Sequence, residues 1–440
     1  MNMTFFFNVR TALQACIAGA IMFFTSCGDK SSDDVLPDYD SSKPVVLSSF
    51  HPDSGRIAER VILEGENFGT DILRIKVYFN NKSAAVISST GNRIHALVPR
   101  MPGDTCIVSV VVGDDSTVYA RNFHYKTSIS VSTITGNGTT TFKTGNLAEA
   151  TLKPYYLSID DEYNIFVSVR ESSDYGIVKV SEEDNSVIPL IMGASSLITP
   201  NALCPDVLTG IIYVPCETSI TTYYTCDPKE AWAPRVRNFT WRNLNGFPLP
   251  TNSWKHSMGF CRLDGYVYTR FFEGQIVKID PRTMEADVIY QTSNGTCVGV
   301  TFDPLHPEML YIAGRSGGMA GGIYSMDVRD PANTYRRLNS SGNGYRDGEL
   351  SEALFYNPWQ IFFDPEGYLY IADEGNHCIR RIRPDHIVET VVGTPGTAGM
   401  KDGGKDDAQF NSPRGVGVDK DGTVYVADYG NSRIRKLAIE

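Results

Sequence analysis

The side chains best suited to recognising a ligand lie together in one segment, residues 223–254. It carries Tyr223, Tyr224, Trp232, Phe239, Trp241, Phe247 and Trp254, and so three of the chain's four tryptophans, with Asn238, Arg242, Asn243 and Asn245 among them. Flat rings flanked by amides and a guanidinium suit sugars, because rings stack on apolar sugar faces while fixed polar groups select orientation. The same rings would serve equally to pack a long loop onto the body of the protein, and the sequence leaves both readings open. Trp232, Trp241 and Trp254 are the ligand-contact candidates of this segment.

Catalytic chemistry finds less support. There is no H-E-x-x-H or C-x-x-C spacing, and His256, His306, His377 and His386 are scattered. We therefore assign no catalytic residue, no metal ligand and no cofactor. Asp364 and Asp373 recur as Asp419 and Asp428 at a fixed offset, which fits repeated turns and caps better than a single asymmetric metal site.

That offset exposes the element that organises the chain. The string NPWQIFFDPEGYLYIADEGNHCIRRI from Asn357 returns 55 residues later as SPRGVGVDKDGTVYVADYGNSRIRKL from Ser412, with ten of 26 positions identical. In each copy an apolar run meets an Asp-x-x-Gly turn, a period-2 strand, an Asp-x-Gly-Asn turn and a third strand, and residues 386–392 add a fourth. Four short antiparallel strands per unit form one blade of a propeller, which must bury its faces against neighbours. Weaker copies upstream place repeat anchors near 154, 200, 256 and 297, then 358 and 413, so the expectation is six blades. The last copy stops after its third strand at Leu437, and residues 128–134 are expected to supply the missing one, which would protect an open sheet edge.

The pattern G-x-x-G-x-x-D-G…A-x-F-x-x-P…D-x-x-G-x-x-Y-V-A-D-x-x-N-x-x-I-R resembles the NHL repeat. Gly342, Gly344, Asp347, Gly348, Ala353, Phe355 and Pro358 match its lead-in, as do Asp402, Gly403, Ala408, Phe410 and Pro413. In a propeller the innermost strands converge on a channel, so the residue after each anchor should ring one mouth. Those residues are Tyr155, Asn201, Ser257, Val298, Trp359 and Arg414, with Trp359 and Arg414 as platform and charged donor. Similar six-bladed propellers include calcium-dependent lactonases and a zinc-dependent amidating lyase, so that resemblance keeps a metal-dependent enzyme as an alternative.

The remaining chain falls into three parts. Residues 1–27 pair Arg10 with an apolar run, Ala12 to Phe24, and end in Thr25-Ser26-Cys27. This resembles a bacterial lipoprotein signal with Cys27 as the lipidated residue; an ordinary signal peptide is the alternative reading. Residues 28–43 are a Ser- and Asp-rich tether, and Asp29, Asp33 and Asp34 resemble the export signal of Bacteroidetes surface lipoproteins, or are simply a solvated linker. Residues 44–126 alternate short strands with glycine turns, as in a sandwich. The order S-x-x-P-x-x-G, G-x-N-F-G, V-x-F, V-P, F-x-Y resembles the TIG/IPT immunoglobulin-like domain, which implies a spacer. Residues 128–440 would be the propeller, with 223–254 inserted into it.

Loss of the leader removes Arg10 and takes the net charge from −11 to −12, which opposes nucleic acid as a partner. Apart from Cys27, seven cysteines follow the leader, an odd number lying mostly on expected strands, so buried thiols are expected, with a bridge among Cys204, Cys216 and Cys226 left open. The sequence thus reads as an all-β protein: a TIG/IPT sandwich followed by a six-bladed β-propeller closed by an N-terminal strand. The expected function is noncatalytic recognition of a polysaccharide or glycoconjugate at the outer-membrane surface, accessory to glycan uptake. An envelope protein scaffold is the alternative.

Overall fold

The computed structural model describes residues 38–100, 105–171, 174–194 and 198–439. The leader with Cys27, and the tether up to residue 37, lie outside the described residues. The chain is all-β and divides into two compact units, the second comprising residues 54–59, 99–106 and everything from 123 onward.

In the first unit a seven-stranded sheet runs in the order Val46–His51, Arg60–Gly69, Gly91–Leu97, Lys82–Ser89, Ile75–Phe79, Val108–Val112, Asp115–Val118. Period-2 alternation places Val61, Leu63, Val77, Phe79, Ile94, Ala96, Val110 and Val112 on the buried face, each fully buried. The G-x-N-F-G motif has a mechanical role. Asn67 takes a left-handed conformation (φ 63°), and its amide donates to the carbonyls of Asp40 and Lys43, tying down the strand that enters the unit.

The second unit holds six blades of four or five strands whose innermost strands are Pro154–Ile159, Cys204–Pro205, Lys255–Cys261, Cys297–Phe302, Pro358–Phe363 and Pro413–Val418. The expected closure is present: Ile129–Thr135 pairs antiparallel with Arg433–Ile439, placing Ile129 opposite Ile439 and Val131 opposite Leu437. The segment 223–254 proves to be largely a blade and not an insertion. Thr222–Cys226 and Pro234–Asn238 are the third and fourth strands of blade 2, and Thr240–Trp241 crosses to pair in parallel with Glu285–Gln291 of blade 3.

The repeated residues explain the blades. Asp364 Oδ1 accepts the backbone N–H groups of Glu366 and Tyr368, and Asp419 does the same for Asp421 and Thr423, so each closes its own hairpin. Gly367 (φ 87°) and Gly422 (φ 81°) occupy the positive-φ positions that these turns require. The second repeated aspartate does more than cap. Asp373 Oδ2 accepts from Asn376 Nδ2 at 2.8 Å and from Arg380 Nη1 at 2.9 Å, while Arg380 also reaches Asp347 and the carbonyls of Arg346 and Leu354. Asp428, Asn431, Arg435 and Asp402 repeat the arrangement.

Arg380 and Arg435 are completely buried. A buried guanidinium with most of its N–H groups satisfied is a structural bolt. His377 is half-buried, and its Nδ1 accepts the N–H of Ser412. All seven described cysteines are buried, and Cys204, Cys216, Cys226, Cys261, Cys297 and Cys378 are free thiols.

Candidate functional site at the propeller mouth

Strand pairing defines the mouth without reference to side chains. Pro154, Pro200, Lys255, Cys297, Pro358 and Pro413 pair with Val169, Cys216, Phe271, Gly314, Asp373 and Asp428 respectively. The next residue of each innermost strand forms an inner ring: Tyr155, Asn201, His256, Val298, Trp359, Arg414. The next residue of each partner strand forms a second ring: Arg170, Glu217, Phe272, Arg315, Glu374, Tyr429. Sequence reasoning missed the second ring, although Glu374 and Tyr429 both fill the variable position of Ala-Asp-x-Gly-Asn.

Blade 3 has no proline at its anchor, and Lys255 stands there, so His256 and not Ser257 reaches the mouth. Ser257 is buried; its hydroxyl accepts the N–H of Val300, and its carbonyl accepts from Thr269, which wedges blade 3 against blade 4. Lys255 points inward, donating from Nζ to the carbonyls of Cys216 and Ser219, and burial pushes it down to about 8.

Around Glu217 the rings knit together. Its Oε1 accepts from His256 Nδ1 at 2.9 Å, Asn201 Nδ2 at 2.8 Å and Arg170 Nη1 at 3.3 Å. Burial would raise this carboxyl, but the hydrogen bond from His256 and the charge of Arg170 outweigh it and hold it at about 2. Asn201 is fully buried, so it braces Arg170 and Glu217 from below.

On the opposite side the rings are aromatic. Tyr155 makes edge contacts with Trp359 and Tyr429 at centroid distances of 5.2 and 5.5 Å. Arg414 lies over Trp359 at 4.3 Å and over Tyr429 at 3.5 Å, and bonds Glu374 at 2.9 Å. Arg170 covers Tyr155 at 4.7 Å, and Arg315 covers Trp359 at 4.7 Å. Trp359 is therefore not the open platform expected: at 2% exposure it is the floor on which two guanidiniums stack. Burial raises the Tyr155 phenol despite the nearby arginines, so it stays a neutral donor at physiological pH.

The tryptophans of residues 223–254 separate. Trp241 packs edge-on against Phe239 and tilted on Phe271, within the core between blades 2 and 3. Trp232 packs on Phe166 beneath Lys179, away from the mouth. Both corrections follow from the strands that continue through this segment. Trp254 is 48% exposed one residue before the strand that begins at Lys255, and its ring touches Phe272 of the second ring.

A cavity of about 440 Å³ is at the other end of the channel, where Ile159, Leu203, Phe260, Phe302, Phe363 and Val418 surround it with Trp232 beside them. At mid-depth Gln360 bonds both backbone groups of Leu157. The aspartates at that end spend an oxygen on their own turns, as Asp206 does on Leu208 and Asp303 on Leu305. We favour the mouth as the recognition site because its polar groups project from all sides and can orient a ligand.

Gly314-Arg315-Ser316-Gly317-Gly318 has the G-x-S-x-G spacing of a nucleophile elbow. Its context is different: Ser316 Oγ donates to Thr296 Oγ1 at 2.8 Å, with no histidine in the pair. Among the described residues no three His, Cys, Asp or Glu side chains converge as metal ligands.

Comparison with known proteins matches residues 44–125 to the IPT/TIG domain and residues 410–437 to the NHL repeat. A crystal structure of a Bacteroides thetaiotaomicron protein of unknown function superposes with TM-score 0.77 at 23% identity, covering 92% of this chain and 100% of the other. An auxiliary nutrient binding protein from the same organism gives TM-score 0.60 at 22% identity, covering 92% and 99%. Protein SUPPRESSOR OF QUENCHING 1 of Arabidopsis thaliana is 30% identical over 191 residues, which are 42% of this chain and 17% of that protein. The curated relatives are matched over a minor part of their length, and the structural likeness establishes the fold. The chain carries an IPT/TIG domain at residues 44–125 and, within a six-bladed β-propeller, an NHL repeat at residues 410–437.

Proposed function

We propose that this chain is a lipid-anchored, noncatalytic recognition protein of the cell surface whose propeller mouth binds a polysaccharide or glycoconjugate, accessory to glycan uptake. The observation that carries this reading is the mouth itself: Tyr155, Tyr429 and Trp254 supply aromatic surface, and Arg170, His256, Arg315 and Arg414 supply donors, contributed by four different blades. Stacking surface ringed by fixed donors is the arrangement sugars require. One structural relative is an auxiliary nutrient binding protein of Bacteroides thetaiotaomicron, which agrees with this reading. Cys27 would provide the membrane anchor, with no nucleic acid partner.

A glycan-array screen of the secreted form from Gly28 onward tests the proposal. Binding to a restricted set of glycans, weakened by Arg414→Ala, is expected. A silent array together with retention of an envelope protein in pulldown would favour a scaffold, and copurification of a stoichiometric divalent metal would favour an enzyme.

A further inference from the structure

The charges at the mouth do not cancel. Arg170 faces Glu217 and Arg414 faces Glu374, each an ion pair within 3.3 Å. Lys153, over the Tyr429 ring at 4.1 Å, feels the opposing charge of Glu171. Arg315 has no such counterpart. It is half-buried and stacked on Trp359, and among the described residues its guanidinium makes no hydrogen bond or ion pair; Nε is out of solvent contact and unpartnered. The indole N–H beneath it, on a tryptophan 98% buried, also lacks an acceptor. A guanidinium with one face desolvated against a ring, beside a buried donor with nothing to donate to, is a site short of an anion.

Two alternatives on the molecule carry less. The cavity at the opposite end has an apolar wall rimmed by aspartates that are engaged in their own turns, as Asp206 and Asp303 are. The other deeply buried arginines, Arg270, Arg380 and Arg435, already bond to neighbouring carbonyls or carboxylates.

We propose that the mouth selects acidic saccharides, with the carboxylate of a uronate or the sulfate of a sulfated sugar seated on Arg315 while the sugar ring lies against Tyr155 and Tyr429. Guanidinium groups match carboxylate and sulfate oxygens through paired N–H donors, which a neutral hydroxyl does not reproduce. A positive mouth on a chain of net charge −11 also steers an anion to one place on a surface that otherwise repels it. This inference rests on the carbohydrate reading above and specifies its class.

The test is calorimetric titration of the full-length protein in detergent, at pH 7 and physiological salt, with tetragalacturonate, a sulfated tetrasaccharide and a neutral galactotetraose. At least tenfold tighter binding of one acidic probe than of the neutral one is expected, and whichever acidic probe is preferred identifies the anion. Arg315→Gln should abolish the preference, so that acidic and neutral probes bind alike, with the melting temperature unchanged, and Arg315→Lys should retain part of the preference. Equal binding of acidic and neutral probes, or a preference that survives Arg315→Gln, overturns the inference and leaves the carbohydrate reading intact. Failure of every glycan, including those of the array, overturns both.

Discussion

Arg414 lies over the indole of Trp359, its guanidinium carbon 4.3 Å from the ring centroid, and the same guanidinium bonds Glu374. One side chain thus joins the innermost strands of blades 5 and 6 and presents its remaining N–H groups to the mouth. A lysine would keep the charge but lose both the stacking plane and the paired donors. Arg414→Lys is expected to weaken glycan binding by about tenfold, roughly 1.4 kcal/mol, with a melting temperature near that of the wild type, measured by titration and calorimetry on the same samples.

Arg380 and Asp373 are fully buried and bonded at 2.9 Å. Removing one partner leaves the other charge stranded, which costs about 3–5 kcal/mol. Arg380→Ala should therefore shift the urea midpoint strongly, and Arg435→Ala likewise in the last blade. Arg383→Ala, whose side chain is 35% exposed and pairs only with Asp385, should change stability by about 0.5 kcal/mol or less. Equal effects at 380 and 383 would contradict the buried network.

The ring is closed by the strand Ile129–Thr135, in which Val131 is buried opposite Leu437. Proline at 131 would remove an N–H from an interior ladder and bare the edge beyond Leu437. Val131→Pro is expected to accelerate amide exchange across residues 433–439 and to promote aggregation, while exchange in blade 3 stays slow.

Glu217 is held at about 2 against an ordinary value of 4.5. Its folded value lies below its unfolded one, so the ionised group stabilises the fold above about pH 4.5, and that contribution is lost as the pH falls toward 2. The stabilisation at neutral pH is about 3–4 kcal/mol on the scale of 1.4 kcal/mol per unit. Glu217→Gln should be less stable than the wild type at pH 7, with the gap in denaturation midpoint closing between pH 4.5 and 2.5. A gap unchanged over that interval would contradict the assignment.

These contrasts also show what could be read from the chain. The blades and their closure were legible because each blade must repeat its turns: Asp364 and Asp419, Gly367 and Gly422 recur where backbone geometry demands them. The register of blade 3 was not, because Lys255 stands where blades 1, 2, 5 and 6 carry a proline. Residues 223–254 misled because aromatic side chains suit both strands and ligand loops, and only pairing with Ile212–Pro215 and with Glu285–Gln291 separates them. The burial of Arg380 was not legible, because an arginine on a strand ordinarily points to solvent; it depends on Asp347 and Asp373, two other motif positions, folding around it. The second ring of the mouth required knowledge of which residues pair across the hairpin, which the repeat alone does not contain.

The most direct test compares three variants against the oligosaccharide that binds most tightly on the array. The account predicts that Tyr155→Ala and Arg414→Ala each weaken binding at least tenfold, while Trp232→Ala, at the far end of the channel, leaves it unchanged. Binding that tolerates both mouth substitutions and is lost with Trp232→Ala would put the recognition site at the opposite cavity and contradict the account.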